Sequence, residues 1–348
     1  MSLPSHEPKL PARARVVLYT TGGTIASTDA DGSGGVRPNL GGAALLGDAA
    51  GAIGDIDLEV VGVRQVPSGE LTIADAIEVS GRIRRDLASG FDGAVVAQGT
   101  DTIEEFAFAL DLLTVAGSPI VVTGAMRHPG ELSADGPANL AAAIRVAGDS
   151  RMRDLGVLVV MNDEIHAARF VRKSDSSSLA AFTSRTTGPI GRVVEGRARR
   201  YVSPPPLAPV VEPDRLGPDV PPVALVGCAL GDDGRLLEHL ADLDYAGVVI
   251  EGFGGGHVPG RLVGPLAALA GEVPVVLASR TGAGDVLEST YGYEGSERDL
   301  LARGLISAGF LDGRKARVLL SLLLNTGASP AQIAAAFTLL HHSATGLA

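Results

Sequence analysis

The sequence predicts an α/β fold of two domains, a larger N-terminal domain built on a parallel sheet and a smaller C-terminal α/β domain. Short, continuous apolar runs alternate with segments of helical period, which is typical of strands buried on both faces of a parallel sheet. The length of 348 residues suits two domains. Eight prolines within residues 203–222 predict an extended connector between them, because proline lacks the N–H that helices and sheets need.

The elements of the first domain are expected within residues 13–202. Two patterns resemble capping boxes and predict helix starts, Thr72-x-x-Asp75 and Thr102-x-x-Glu105. Strands are predicted at the apolar runs Arg15–Tyr19, Leu58–Val66, Gly93–Ala97, Pro119–Val122 and Leu155–Met161.

The second domain is expected within residues 223–348 and repeats the same style. The predicted strands are Val223–Val226, Gly247–Ile250 and Pro274–Leu277. The predicted helices are Arg235–Leu243, Leu262–Leu269, Lys315–Leu324 and Ala331–His341.

Composition argues against several classes of protein. With 29 Lys and Arg against 40 Asp and Glu, the net charge of −11 disfavours nucleic-acid binding, which needs a clustered positive surface. A local group of arginines is interpreted as a solvated strand edge: Arg192, Arg197, Arg199 and Arg200. The single Cys228 rules out an intrachain disulfide and a cysteine-based zinc site, and its apolar neighbours predict burial.

Neither export nor membrane insertion is indicated. No apolar run of signal-peptide length follows the basic N-terminal residues, so a cytoplasmic location is expected. The uncharged stretch Val318–Leu340 is long enough to span a bilayer. However, Asn325–Gly327 and Ser329-Pro330 interrupt it, and two short core helices fit better.

The chemistry is expected beyond the carboxyl ends of the strands, where open parallel sheets bind ligands. Thr24 follows two glycines, so a ligand can approach its hydroxyl closely, and nearby N–H groups could hold an oxyanion. The alternative is an ordinary glycine-rich turn, while a phosphate loop fits poorly because no G-x-G-x-x-G pattern and no following Lys are present. Four predicted strands end in polar or glycine-rich segments: Thr20–Thr24, Gln98–Thr102, Thr123–Arg127 and Asn162-Asp163.

Thr100 and Asp101 are the next candidates. Asp101 or Thr102 could simply cap the following helix; Thr102 is the better cap, which leaves Thr100 and Asp101 for a ligand. Lys173 is the candidate base, since a lysine desolvated beside other cations can act as one, although it could also be a solvated charge. Histidine is not expected to serve, because His128 lies in a turn and five more have exposed-looking contexts: His6, His166, His239, His341 and His342.

Taken together, the motifs resemble the bacterial-type L-asparaginase family, amidohydrolases with a threonine nucleophile. The resemblance runs in the family's order from residue 15 to about residue 340. It implies a flavodoxin-like N-terminal domain, no metal or cofactor, and homodimers or tetramers with sites at the dimer interface. The segments that carry it are Thr21–Ala26, Gly99–Glu105, Gly124–Arg127, Ser133–Leu140, Val159–Asp163 and Lys315–Leu320.

The resemblance also implies roles for individual residues. Thr24 resembles the nucleophile that attacks the side-chain amide. Thr100, Asp101 and Lys173 resemble a second triad, in which Lys173 helps to deprotonate the threonine. Ser68 resembles the serine that binds the substrate α-carboxylate, while Asp101 also resembles the anchor of the α-ammonium group. Three further residues are expected at the substrate: Gly23, Gln98 and Gly99.

Four positions depart from the family's pattern. Gln98 stands where histidine is common, and the lid Asp29–Gly42 has Leu40 near the place of the usual tyrosine. Gly254–His257 replaces a loop in which the partner subunit supplies an asparagine. Glu294 is the nearest match to the family's acid from the neighbouring subunit.

Two tyrosines could supply the missing phenol. Tyr291 and Tyr293 lie beside Glu294, and we hypothesise that a neighbouring subunit projects them into the site; packing or a mobile loop is the alternative. The predicted reaction is hydrolysis of L-asparagine to L-aspartate and ammonia. L-glutamine, D-amino acid amides or another small amide are alternative substrates, and a non-catalytic small-molecule binder is the alternative of a different class.

Overall fold

The structure is a computed structural model that describes residues 13–29, 34–114 and 117–346. Residues 1–12, on which the expectation about export and the placement of His6 depend, lie outside the described residues. So do positions 30–33 of the predicted lid. The described strands are β1 Ala14–Gly22, β2 Ser27–Thr28, β3 Arg37–Pro38, β4 Ile56–Val66, β5 Gly93–Ala97, β6 Ile120–Thr123, β7 Val157–Met161, β8 Glu164–Ala167, β9 Arg172–Lys173, β10 Phe182–Thr183, β11 Gly191–Val194, β12 Arg197–Arg200, β13 Val223–Gly227, β14 Gly247–Gly252, β15 Val275–Ser279 and β16 Ile306–Ser307. The described helices are α1 Gly42–Leu46, α2 Ile73–Ala88, α3 Ile103–Leu113, α4 Gly136–Ala147, α5 Arg235–Leu240, α6 Gly260–Ala270, α7 Glu297–Ala302, α8 Gly313–Asn325 and α9 Pro330–Thr345.

The larger sheet has eight strands in the order β12-β11-β8-β7-β6-β5-β1-β4. The five strands from β7 to β4 are parallel, as predicted, and β5 and β7 are buried along their whole length. The other three strands, β8, β11 and β12, pair in the antiparallel direction, which the sequence did not predict. Assigning β4 to the fully buried strands was wrong, because β4 is an edge strand in which half-buried and exposed residues largely alternate.

Helices cover both faces of this sheet. On one face, Leu140 and Ile144 of α4 pack against Leu18 and Val95. On the other face, α2 and α3 pack against alternate residues of the same strands, such as Val17. Each such side chain contributes about 1.5–3 kcal/mol when fully buried, so this layered packing holds the strand ends in fixed positions.

The two predicted capping boxes have different outcomes. At α2 the box is present: Asp75 N–H donates to Thr72 Oγ1 at 3.2 Å, and Thr72 N–H donates to the Asp75 carboxylate at 2.8 Å. At α3 the predicted helix start is confirmed, since the helix begins at Ile103 with Thr102 as its N-cap residue, but the capping box does not form. Thr102 Oγ1 donates instead to the carbonyl of Ser68 at 3.1 Å, and a 3-10 turn over Thr100–Thr102 leads into the helix.

The smaller sheet is fully parallel, in the order β13-β14-β15-β16. Residues 203–222, the predicted connector, follow the last strand of the larger sheet and precede the first strand of the smaller one, and they contain a 3-10 turn at Pro213–Arg215. Val318–Leu340 is divided between α8 and α9, as predicted. Among the described residues, no helix is both long and apolar enough to cross a membrane.

Candidate active site

Two glycines bring the ends of β1 and β5 together. A Cβ atom placed on Gly23 would lie 2.1 Å from Gly99 Cα, and Gly23 has a φ of +80°. Only glycine fits this contact, because such a distance excludes any side chain and L-residues rarely adopt this conformation. Thr24 and Thr100, each one position after a glycine of the pair, therefore lie in neighbouring loops.

Thr24 begins a short 3-10 helix, Thr24–Ala26, directly after the glycine contact. Ile25 and Ala26 are buried and anchor the turn, whereas Thr24 is half-buried. Among the described residues, the Thr24 hydroxyl has no hydrogen-bond partner. The hydroxyl thus lies directly after the glycine contact, and no base contacts it within the described part of the chain.

The predicted second triad is assembled in one place. Lys173 Nζ, on β9, donates to Thr100 Oγ1 at 2.9 Å and to Asp101 Oδ1 at 2.7 Å. The Lys173 side chain is 14% exposed and that of Asp101 is 75% exposed. The amine is therefore largely shielded from water and contacts a hydroxyl on one side, while the carboxylate faces solvent.

Ser68 lies against the Gly99–Thr102 turn. It begins a 3-10 turn after β4, is buried, and accepts a hydrogen bond from Asp101 N–H at 3.3 Å through its Oγ. A Cβ atom on Gly99 would lie 2.7 Å from that oxygen. The Ser68 hydroxyl proton has no acceptor among the described residues, so it is available to donate to an anionic group of a ligand.

Glu104 and Arg314 are site residues that sequence reasoning missed. Glu104 is buried and accepts a hydrogen bond from Lys173 N–H through Oε2, and one from Arg314 Nη1 at 3.3 Å through Oε1. These residues border an open cleft of about 370 Å³ together with Asp101 and Lys173. Glu104 thus fixes the main chain of Lys173. The sequence signal for Glu104 was an acidic residue in the first turn of a helix. Such residues are common there because their charge complements the helix dipole.

Gln98 is fully buried behind the Gly99–Thr102 turn. Its Nε2 donates weakly to the Gly99 carbonyl and to Thr102 Oγ1, both at 3.4 Å, and its Oε1 has no partner among the described residues. Direct substrate contact, which the sequence predicts, does not fit this burial. We interpret Gln98 as a support of the turn.

Tyr291, Tyr293 and Glu294 lie together on an exposed loop before α7. The rings of Tyr291 and Tyr293 pack against His257 with centroids 4.9 and 5.6 Å away, and Glu294 lies beside Gly260. The described contacts of these three residues are within the C-terminal part of the chain and do not include Thr24.

The turn that carries this loop is fixed by Glu297. Its Oε1 accepts from Thr290 N–H at 2.8 Å and from Tyr291 N–H at 2.7 Å, and its Oε2 lies 3.2 Å from His257 Nε2. Burial opposes ionisation of Glu297, but these N–H groups and His257 outweigh it and hold its pKa below the usual range.

Other polar candidates lie away from the site. His166, expected to be exposed, is 1% exposed; burial lowers its pKa, against the effect of Glu164 nearby. Asn162 and Asp163, with φ of 51° and 59°, form the tight turn between β7 and β8. The arginines of β11 and β12 are exposed at the sheet edge and Cys228 is buried, as predicted. No group of three or more His, Cys, Asp or Glu within the described ranges could hold a metal ion.

Comparison with known proteins gives a consistent result over both sheets. The family model described as "Asparaginase, N-terminal" matches residues 15–206, and that described as "Glutaminase/Asparaginase C-terminal domain" matches residues 222–337. A probable L-asparaginase of Deinococcus radiodurans is 39% identical over 93% of this chain and 97% of its own length. An L-asparaginase of Bacillus licheniformis is 34% identical over 89% of this chain and 95% of its own length. The crystal structure of a probable cytoplasmic L-asparaginase from Campylobacter jejuni superposes with a TM-score of 0.85 at 29% identity, covering 94% of this chain and all of that one.

Proposed function

The chain belongs to the L-asparaginase family of amidohydrolases, and from that premise we propose that it hydrolyses L-asparagine to L-aspartate and ammonia with Thr24 as nucleophile. Oγ1 of Thr24 attacks the side-chain amide carbon, and the C–N bond breaks as ammonia takes up a proton. Water then attacks the resulting acyl-enzyme ester, which releases aspartate and returns the proton to Thr24.

The observation that carries this proposal is the Lys173–Thr100 hydrogen bond beside the Gly23–Gly99 contact. The second hydroxyl, that of Thr100, lies in the loop next to that of Thr24, and a shielded amine from β9 contacts it. Thr100, with Lys173 as proton acceptor, either activates the hydrolytic water or takes part in the first attack. A site built only to bind would need neither the second hydroxyl nor the amine.

The charges around this pair suit a zwitterionic amino acid. Asp101, whose carboxylate is exposed, binds the α-ammonium group, and Ser68 donates its free hydroxyl proton to the α-carboxylate. The Gly23 N–H donates to the Val66 carbonyl at 3.0 Å, so the N–H groups that follow it in the turn are proposed to hold the oxyanion. The contact excludes side chains at Gly23 and Gly99, so the substrate can approach the backbone there.

The partner that activates Thr24 is proposed to come from a second subunit. Tyr291 or Tyr293, with Glu294 beside them, would project into the site of a neighbouring copy in a homodimer or tetramer. Support comes from the Thr24 hydroxyl, which has no partner in the part of the chain that the structure describes, and from the exposure of both rings on one loop. We also propose that residues 13–202 and 223–348 are the two domains, joined by 203–222. A cytoplasmic location is proposed from the name of the Campylobacter relative.

Ammonia release from L-asparagine, D-asparagine, L-glutamine and small amides tests the reaction. The wild type is expected to act on L-asparagine, Thr24→Ala to be inactive, and Thr24→Ser to retain activity because it keeps the hydroxyl. Full activity of Thr24→Ala would exclude Thr24 as the nucleophile. A stronger response to another amide would reassign the substrate, and no response to any would favour a non-catalytic binder.

Mixed oligomers test the contribution of a second subunit. Thr24→Ala lacks the proposed nucleophile. The double variant Tyr291→Phe/Tyr293→Phe is expected to be inactive because it lacks the phenols that it would supply to the neighbouring subunit's site. If each site takes Thr24 from one chain and a tyrosine from the next, refolding the two variants together restores activity in part. Unchanged kcat in the double Phe variant, or no recovery on mixing, contradicts the proposal.

A further inference from the structure

A second cavity lies away from the cleft at Asp101 and Lys173. It has a volume of about 500 Å³, is partly open, and is bordered by the first turn of α2, by α3, by α8 and by residues 218–222 of the predicted connector. Most of its wall is apolar, including Leu71, Ile73, Phe106, Val220 and Val318. Its size falls within the range of small-molecule sites, about 300–1,000 Å³.

Three polar groups on the α3 and α8 side of this wall have no partner among the described residues. The Glu105 carboxylate has no hydrogen bond or ion pair among the described residues. Arg317 uses its Nε to donate to the Val223 carbonyl at 2.9 Å, which leaves both Nη atoms without a described partner. Ser321 is 1% exposed, and its Oγ is buried without a partner.

The other two hydroxyls of the wall are already engaged. Thr72 caps α2, and Thr102 donates to the Ser68 carbonyl. The unpartnered groups of α3 and α8 therefore form one patch, while Asp219 of the predicted connector, which also lines the cavity, is exposed and its carboxylate has no described partner. A buried polar atom without a partner is costly, and the Ser321 Oγ is such an atom among the described residues. Glu105 and Arg317 are half-buried and line the same cavity, so the three groups together point to a ligand that satisfies them.

The two charges do not satisfy each other. Glu105 and Arg317 line the same cavity, yet their charged atoms are more than 4.0 Å apart, since no ion pair forms between them within that distance. Burial raises the pKa of the Glu105 carboxyl, although Arg317 and Arg314 act in the opposite direction. The carboxylate would be stabilised by a cation placed in the cavity.

We propose that this cavity binds a free α-amino acid with a large apolar side chain. Its ammonium group pairs with Glu105, its carboxylate with the Nη atoms of Arg317, and the Ser321 hydroxyl donates to the same carboxylate. The apolar side chain lies against Phe106 and Val318. Asparagine is a poor match, because its amide would be buried there without partners.

Calorimetric titration of the full chain with L-phenylalanine tests this site. We expect millimolar or tighter binding to the wild type, as for a ligand of this size. Loss of a charge-assisted bond weakens binding by about ten-fold or more, so Glu105→Gln is expected to lose that much affinity. The matched control, Glu272→Gln, alters an exposed carboxylate elsewhere and is expected to bind normally.

Two further comparisons separate this cavity from the proposed active site. Asp101→Asn removes the proposed ammonium anchor of the substrate and is expected to leave phenylalanine binding unchanged. Phenethylamine and 3-phenylpropanoate, which each lack one charge, are expected to bind the wild type about ten-fold more weakly or worse. These ligand analogues keep the test valid even if Glu105→Gln folds poorly.

Three results would overturn the proposal: no binding by the wild type, equal binding of the single-charge analogues, or loss of binding in Asp101→Asn but not in Glu105→Gln. Ammonia release is measured separately on the same preparations. A failure of this inference therefore does not depend on whether L-asparagine is the substrate.

Discussion

Replacing Lys173 by Met is expected to abolish most activity while leaving the fold almost as stable. The change removes the amine that donates to Thr100 Oγ1 at 2.9 Å and to Asp101 Oδ1 at 2.7 Å. Loss of a general base typically lowers kcat by about 10²–10⁴-fold. The Asp101 side chain is 75% exposed, so loss of the ion pair costs at most about 1 kcal/mol. The Lys173 N–H that donates to Glu104 belongs to the main chain and is kept.

The assay is kcat for ammonia release together with thermal unfolding followed by circular dichroism. A cost of about 1 kcal/mol corresponds to a fall in Tm of no more than about 2–4 °C. Lys173→Arg is the control, because a guanidinium keeps the charge beside Asp101 but is not deprotonated in proteins. If Lys173 takes up a proton, the Arg variant is as inactive as the Met variant. Activity of Lys173→Arg within about three-fold of the wild type would refute the reasoning and leave Lys173 only the task of holding Asp101.

Three further predictions follow from single contacts. Gly99→Ala adds a Cβ 2.7 Å from Ser68 Oγ, at a φ of −69° that alanine adopts without strain. Because Ser68 is the proposed carboxylate-binding residue, KM should rise more than kcat falls, and the overpacking should lower the free energy of unfolding in urea by about 1–3 kcal/mol. Burial opposes ionisation of Asp312, but the charge and N–H of Lys315 outweigh it and lower its pKa. The stabilisation from the ionised Asp312 carboxylate is complete above the unfolded-state pKa of about 4 and is lost as the pH falls through the lower folded-state pKa. The loss of unfolding free energy caused by Asp312→Asn, measured in urea, should therefore be smaller at about pH 3 than at about pH 7. Burial raises the pKa of the Cys228 thiol to about 11, so iodoacetamide at about pH 8 should alkylate it far more slowly in the native than in the unfolded protein, and equal rates would contradict this burial.

The sequence predicts the fold well where burial is uniform and less well at the edges. Gly93–Ala97 is predicted to the residue, because a strand buried on both faces gives a continuous apolar run. The edge strand β4 also has apolar residues, but some of them face solvent. The apolar pattern alone does not show whether a strand pairs with one neighbouring strand or with two. The antiparallel pairing of β8 with β7 depends on a two-residue turn, Asn162-Asp163, which the reading assigned to the site instead.

Long-range contacts explain the remaining differences. Thr102 has the local sequence of a helix cap, yet its hydroxyl donates to Ser68, 34 positions away, which no local pattern records. The pairing of Lys173 with Thr100 also spans 73 positions, and it was predicted only because the resemblance supplied it. Glu104 was missed because its partners, Lys173 and Arg314, come from distant segments.

The contact between Gly23 and Gly99 gives one geometric reason for two separate motifs. β1 and β5 are neighbouring parallel strands, so the chain leaves both at the same edge of the sheet. Parallel strands lie about 4.8 Å apart, and the two glycines allow their continuing loops to come closer than side chains permit. Because Thr24 and Thr100 each follow a glycine by one position, this approach determines how near the two hydroxyls lie. A side chain at either glycine would separate the loops. Both motifs therefore place a glycine directly before the threonine for the same reason, which is that the proposed chemistry needs the two hydroxyls close together.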